Sequence, residues 1–241
     1  MPKASELLRG RKKILVTGGA GFIGGSVVRR LLQETEVTVF NLDKMGYASD
    51  LSSINKVLTG LDKAHQTRHQ LLKVDLKNQK EVQTAVQKAD PDMVLHLAAE
   101  SHVDRSITAP GQFLDSNVIG TYSLLQAVLC HYRQLSEERR AMFRMLHIST
   151  DEVFGSLGEK GRFSENTPYA PRSPYSASKA ASDHLVQAWH HTFGLPVVIT
   201  NCSNNYGPWQ FPEKLIPVVI LKAIEGESIP LYGDGKNIRD W

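Results

Sequence analysis

Ser149-Thr150-Asp151-Glu152-Val153-Phe154-Gly155 sets two adjacent carboxylates behind the apolar run Leu146-His147-Ile148. Such a run reads as a strand leaving the core, and in α/β domains ligands bind at the carboxyl ends of strands. Two neighbouring carboxyls in a closed site cannot both ionise freely, so one can act as acid and the other as base. A solvated turn would carry the same pair with no chemistry. Farther along, Tyr175 and Lys179 stand four residues apart, on one face of a helix. A free phenol ionises near pH ~10, too high for a base, but a neighbouring ammonium favours the phenolate. The pair can then take a proton from an alcohol, with the hydroxyls of Ser149 and Thr150 as partners.

Removing that proton from an alcohol is useful when hydride leaves the same carbon, which requires an acceptor. Thr17-Gly18-Gly19-Ala20-Gly21-Phe22-Ile23-Gly24 satisfies G-x-G-x-x-G at Gly19, Gly21 and Gly24, and reads from Gly18 in a second register. Glycines there let the backbone approach a pyrophosphate, and a helix N-terminus presents free N–H groups to the anion. Asp43 follows Gly24 by 19 residues, at the end of the second apolar run. Its carboxylate can accept from both ribose hydroxyls of an adenine nucleotide and repel a 2′-phosphate, favouring NAD over NADP. Lys44 beside it works the other way. Asp75 at the end of the third strand could reach the adenine edge, and small side chains in Leu97-Ala98-Ala99 would let a cofactor lie against the backbone. An oxidised nicotinamide would further favour the Tyr175 phenolate.

The elements that must position these groups alternate: strands at 12–18, 36–43, 70–76, 92–99, 145–150 and 197–200, with helices at 22–33, 78–89 and 113–133. A further helix starts at Ser173-Pro174 and stops at Gly194 before Pro196. This rhythm predicts an α/β fold, a Rossmann-type doubly wound parallel sheet covered on both faces. Beyond residue 200 the Gly- and Pro-punctuated stretch Asn201 to Pro217 reads as substrate loop. The last turn, Gly233-Asp234-Gly235-Lys236-Asn237, precedes an abrupt end at Asp240-Trp241 that suggests a fragment, the other reading being a natural end with Trp241 docked on the surface.

With 241 residues, 41% of them hydrophobic, the chain can bury a sizeable core. Lys plus Arg number 28 against 25 Asp plus Glu, and the scatter of basic residues argues against nucleic acid. No run of apolar residues is long enough to span a membrane. The basic cluster at 9–13 precedes Ile14-Leu15-Val16, but glycines interrupt the stretch as they would not in a signal peptide. Cys130 and Cys202 read as two buried thiols, which fits a reducing cytoplasm. His96, His102, His147, His184, His190 and His191 have no metal spacing and read as exposed or capping histidines.

TGGAGFIG, HLAAESHVDRSI, NVIGTY, STDEVFG, Tyr175-x-x-x-Lys179, NCSNNYGPWQFPEKLIP and LYGDGKNIRDW together resemble the extended short-chain dehydrogenases, and within them closely the nucleotide-sugar 4,6-dehydratases. The resemblance runs almost from Lys12 to Trp241. It implies an NAD-binding Rossmann domain over 1–200 and a partial sugar-nucleotide-binding region over 201–241, because family members continue past Arg239-Asp240-Trp241. It further implies NAD as cofactor, dTDP-glucose as substrate, no metal, a cytoplasmic homodimer and a place in deoxysugar (rhamnose-type) biosynthesis. A sibling enzyme on another nucleotide sugar, or a non-catalytic NAD-binding fragment, are the other readings.

By the same resemblance, Tyr175 is the base for oxidation at sugar C4, Lys179 lowers its pKa and holds the nicotinamide ribose, and Thr150 hydrogen-bonds the C4 oxygen. Glu152 takes the C5 proton and Asp151 protonates the departing C6 hydroxyl. Phe22 and Ile23 line the pyrophosphate with Gly18, Gly21 and Gly24; Leu76 joins Asp75 at the adenine. Ser101 and Ser116 belong to the cofactor cleft, Ser101 also to the substrate, and Asn205 to the nicotinamide side. Asn204, Lys214, Leu215, Tyr232 and Arg239 match substrate contacts, with Arg239 as clamp for a diphosphate. The helices at 113–133 and 174–193 pair across the dimer.

Overall fold

Ile14, Leu15 and Val16 are all fully buried, although successive side chains of a strand point to opposite faces. Both faces of the sheet must therefore be covered, as an all-parallel sheet requires. The structure, a computed structural model, describes residues 6, 8–157, 161–229, 231, 234–236, 238 and 240–241. Six strands, β1 (Lys13–Thr17), β2 (Thr38–Asp43), β3 (His69–Lys73), β4 (Met93–His96), β5 (Arg144–Thr150) and β6 (Val197–Cys202), pair in parallel in the order β3-β2-β1-β4-β5-β6. Chain order reverses between β1 and β4, and the crevice outside the strand ends at that point is where ligands bind in such sheets.

On one face α1 (Phe22–Glu34) and α2 (Ser52–Thr59) bury Val28, Leu32 and Ile54 against Ile14, Val16 and Val39. On the other, following the one-turn α3 (Lys63–Gln66), α4 (Gln79–Ala89) contributes Val82 and Val86 against Leu15, Val94 and Met145. Two short helices, α5 (Val103–Thr108) and α6 (Pro110–Phe113), lead into a π-helical turn at Leu114–Ile119 and then α7 (Gly120–Gln134). Leu124, Leu125 and Val128 of α7 join the same core. Each such side chain contributes about 1.5–3 kcal/mol on burial. After α8 (Glu137–Met142) comes β5, and then α9 (Pro174–Phe193), the longest helix described. Ser173 caps α9 by accepting from the Ser176 amide at 3.1 Å, and Gly194 ends it in the left-handed conformation. The last helix is α10 (Leu215–Glu225).

The expected alternation is present, with differences that bear on the site. The strand expected over 92–99 stops at His96, because Leu97 and Ala98 turn to hydrogen-bond Thr17: the Leu97 amide donates to its carbonyl and the Ala98 amide to its hydroxyl, both at 3.2 Å. β3 ends at Lys73, so Asp75 lies past the strand, accepting from the Lys77 amide at 3.1 Å ahead of α4. The helix expected over 113–133 is not continuous α-helix, since its first six residues after Phe113 are wound as π-helix. Within that turn the buried Asn117 amide group accepts from the Glu100 amide at 2.8 Å and donates to the Glu100 carbonyl at 3.0 Å and to Ser178 Oγ at 2.8 Å. Those three bonds pin the segment to the β4 loop and to α9, and an extra residue in the turn is how the helix accommodates them.

His96 and His147 are buried core groups, not exposed or capping ones, whereas His190 does cap, its ring meeting the Leu195 carbonyl at 2.9 Å. The two cysteines are free and half-buried, not fully buried. No grouping of three potential metal ligands occurs among the described residues.

Candidate active site

The crevice at the chain reversal is a cavity of about 750 Å³. Its floor begins with the glycine loop. Gly18 sits at φ +71, and a Cβ there would fall 2.7 Å from the Ala98 Cα and amide nitrogen, so neither the backbone angle nor the space admits a side chain. Gly24 packs directly on the Gly18 carbonyl, which brings the start of α1 close under the loop. Gly21 lines the cavity together with Gly18 and Gly24. It is the N-cap of α1, with no side-chain cap and no acid in the first turn, which leaves the positive helix end open to an anion. The loop, with Phe22 and Ile23 lining the same space, is therefore a cradle of bare backbone that fits a pyrophosphate.

Asp43, at the end of β2, lines the cavity with its carboxylate oriented by three donors: the Ala20 amide at 3.0 Å, the Met45 amide at 2.8 Å and the Ser49 hydroxyl at 2.9 Å. A carboxylate has about four acceptor positions, which leaves capacity for a ribose hydroxyl. Lys44 Nζ pairs with Glu100 at 2.6 Å, so its charge is balanced by a carboxylate of the chain itself. Asp75, Leu76, Leu97, Ala98, Ala99, Ser101 and Ser116 also border the cavity, as do Asn204, Asn205, Lys214 and Leu215. Lys214 Nζ donates to the Ser101 carbonyl at 2.8 Å, and burial lowers its pKa while Glu213 and Glu152 oppose that shift. Tyr232 and Arg239 lie outside the described residues.

At the end of β5, Thr150 caps a 3-10 turn (Asp151–Phe154) by accepting from the Glu152 amide at 3.3 Å, and its hydroxyl donates to Asp151 Oδ1 at 3.2 Å. The turn aims the two acids differently. Glu152 borders the cavity, whereas Asp151 does not. Tyr175 and Lys179 border it one turn apart on α9, and Lys179 Nζ donates to the Ile148 carbonyl at 2.7 Å.

Burial, then the charge of Glu152, push the Tyr175 phenol above its ordinary value; its hydrogen bond with Thr150 pulls the other way. Burial lowers Lys179 to about 8, opposed by Asp183 and Cys202.

Several residues were invisible to sequence reasoning. Tyr47 reaches across 166 positions to hydrogen-bond Glu213 at 2.9 Å, with the Arg105 guanidinium 3.9 Å from its ring centre, which ties the β2 loop to the loop after β6. No local pattern announces a contact of that span. The buried hydrogen bond between Thr17 and His96, at 2.7 Å, is likewise tertiary; Asn117 alone had a local signal, an amide inside an apolar helical stretch.

Comparison with known proteins agrees with this geometry. The chain is 56% identical over 227 residues to the dTDP-glucose 4,6-dehydratase of Xanthomonas campestris pv. campestris (strain B100), covering 94% of this chain and 63% of the relative. The dTDP-glucose 4,6-dehydratase of Neisseria gonorrhoeae is 53% identical, with 96% and 66% covered, so the chain spans just under two thirds of the length of these relatives. Among solved structures, a dTDP-glucose 4,6-dehydratase from Streptomyces venezuelae with NAD and TYD bound superposes with a TM-score of 0.83 at 41% identity, covering 95% of this chain and 67% of that one. The family described as GDP-mannose 4,6 dehydratase matches residues 15–241, and with the sheet order, the glycine cradle and the Thr150, Tyr175 and Lys179 constellation in one cavity, the chain belongs to that family.

Proposed function

We propose that this chain carries the chemistry of an NAD-dependent dTDP-glucose 4,6-dehydratase, a hydro-lyase that converts dTDP-glucose to dTDP-4-keto-6-deoxyglucose. The observation that carries the reading is the meeting of Glu152, Tyr175 and Lys179 with the glycine cradle and Asp43 in one cavity. Gly18, Gly21 and Gly24 hold the pyrophosphate of NAD, Asp43 its adenine ribose and Lys179 its nicotinamide ribose. NAD, when bound, accepts hydride from sugar C4, returns it at C6, and adds a positive ring that favours the Tyr175 phenolate.

Tyr175 takes the C4 hydroxyl proton while Thr150 holds that oxygen. The resulting ketone acidifies C5, and Glu152, the member of the acid pair that borders the cavity, takes the C5 proton and gives it back to C5 once water has left and C6 is reduced. Asp151, in its protonated form, delivers a proton to the departing C6 hydroxyl, which leaves as water. An epimerase needs the hydroxyl, Tyr and Lys only; elimination needs the acid pair as well.

Residues 1–200 form the NAD-binding domain in this reading, although β6 itself runs to Cys202, and 201–241 form part of the sugar-nucleotide region, with Asn204 and Lys214 toward the diphosphate. No described helix is long and apolar enough to cross a membrane, and we place the protein in the cytoplasm. The homodimer joins through α7 and α9, beside which Leu114, Ile119 and Phe193 are exposed.

Incubating the chain with NAD and dTDP-glucose, with mass spectrometry for loss of water, tests the reading. Dehydration without accumulation of NADH is expected. A second reading, NAD binding without turnover, is favoured by one observation: α10, on the sugar side, buries none of its residues. Bound NAD with no product would select it.

A further inference from the structure

Asp183 lies on α9 one turn beyond Lys179 and two beyond Tyr175, and it is fully buried. A carboxylate is kept in a dry core only when other groups compensate it. Three elements converge on this one. The Ser149 hydroxyl of β5 donates to Oδ2 at 2.6 Å, and the Tyr169 hydroxyl, from the loop before α9, donates to the same oxygen at 3.0 Å. His147 Nε2 of β5 lies 3.1 Å from Oδ1, within ion-pair reach but misaligned for a hydrogen bond. Burial and the charge of Lys179 hold His147 down at about 4, so at neutral pH the imidazole carries no charge to balance the acid. Lys179 does, and among neighbouring groups Asp183 is the foremost in raising its pKa.

The same contacts reach the reacting groups. Ser149 precedes Thr150, and Lys179 donates to the carbonyl of Ile148, so the strand end carrying Thr150 is held to α9 on both sides. We propose that Asp183 is a positioning residue for the oxidation machinery: it clamps the end of β5 and the Tyr169 loop onto α9 and sets a buried negative charge one turn from Lys179. The proposal rests on the reading of Tyr175 and Lys179 as the oxidation pair for its catalytic meaning, but its electrostatic content does not. The other titratable groups around Lys179 are His147 from β5, His96 from β4, Cys202 from β6 and Tyr175 from its own helix. His96 is lowered by burial and then by His147 and Lys179, and of these four groups only Cys202 joins Asp183 in raising Lys179.

The test is an NMR titration of the 15Nζ signal of Lys179 in the whole chain, assigned with Lys179→Met. In Asp183→Asn, which keeps the shape and removes the charge, the midpoint is expected to fall by about one pH unit or more. An unmoved midpoint in a folded variant overturns the proposal. Should that variant not fold, Asp183→Ser, which removes the charge and keeps a hydrogen-bonding group, takes its place; the same fall of the Lys179 midpoint is expected, and an unmoved midpoint overturns the proposal. Where the wild-type chain turns over, the alkaline limb of the oxidation rate moves to lower pH in Asp183→Asn with KM for the sugar unchanged, whereas loss of packing alone lowers the rate at every pH. Absence of dehydration by the wild type defeats the dehydratase reading and leaves the titration result standing.

Discussion

The floor of the cleft and its outer rim are built in opposite ways. At the floor, Ser149, Thr150, Lys179 and Asp183 are buried, and each is held by hydrogen bonds or ion pairs from another element. At the rim, α10 buries none of its eleven residues and leaves Ile224 77% exposed, while Tyr206, Trp209 and Trp241 also stand in solvent. The groups proposed for oxidation thus inherit the rigidity of the sheet, while the proposed sugar side depends on loops and on a helix held at few points. Chemistry that must align a hydride and a proton within a fraction of an ångström belongs on the floor.

Breaking the floor should have the largest effect. Tyr175→Phe is expected to remove oxidation, by on the order of 10³-fold, read as loss of transient NADH absorbance with NAD affinity retained. Next, Glu152→Gln should spare oxidation and block water loss, so NADH accumulates where the wild type shows none. Normal elimination by that variant would sink the role given to Glu152. Gly18→Ala should weaken NAD binding about tenfold or more in calorimetry, because its φ of +71 and the contact with Ala98 force the loop to move.

The floor also carries a pH signature. His147 is lowered to about 4 from an ordinary value of 6.5, so the unfolded chain binds a proton that the folded chain refuses between those values. Stability is therefore present above pH ~6.5 and is lost as pH falls toward ~4. Thermal melts across that window should show the decline, and His147→Gln should lessen it, the remainder coming from His69, His96 and His131, which burial also lowers. The smallest effect belongs to the rim: Ile224→Glu should leave stability in denaturant melts within about 0.5 kcal/mol of the wild type. A large loss of stability would mean that the exposed face of α10 is covered in solution.

Much of the floor was legible before any coordinates. The glycines around Gly21, the end of β2 at Asp43 and the Ser173 cap to Gly194 stop of α9 are local signals, in which a conformational demand meets the residue type that satisfies it. The rim was less legible. The stretch Asn201 to Pro217 reads as loop, yet α10 begins within it at Leu215 and runs on to Glu225, an apolar run whose lack of a polar face leaves no helical periodicity to detect.

By itself, the sequence determined the parallel α/β order, the cradle and the one-turn spacing of Tyr175 and Lys179, since each rests on interactions between near neighbours in the chain. Only the tertiary structure decided that Glu152 and not Asp151 borders the cavity, that Lys44 is tied to Glu100, and that His147 and Asp183 are core groups beneath the lysine. Those outcomes depend on which distant elements the sheet brings together, and on how burial then shifts their charges, and neither is written in local spacing.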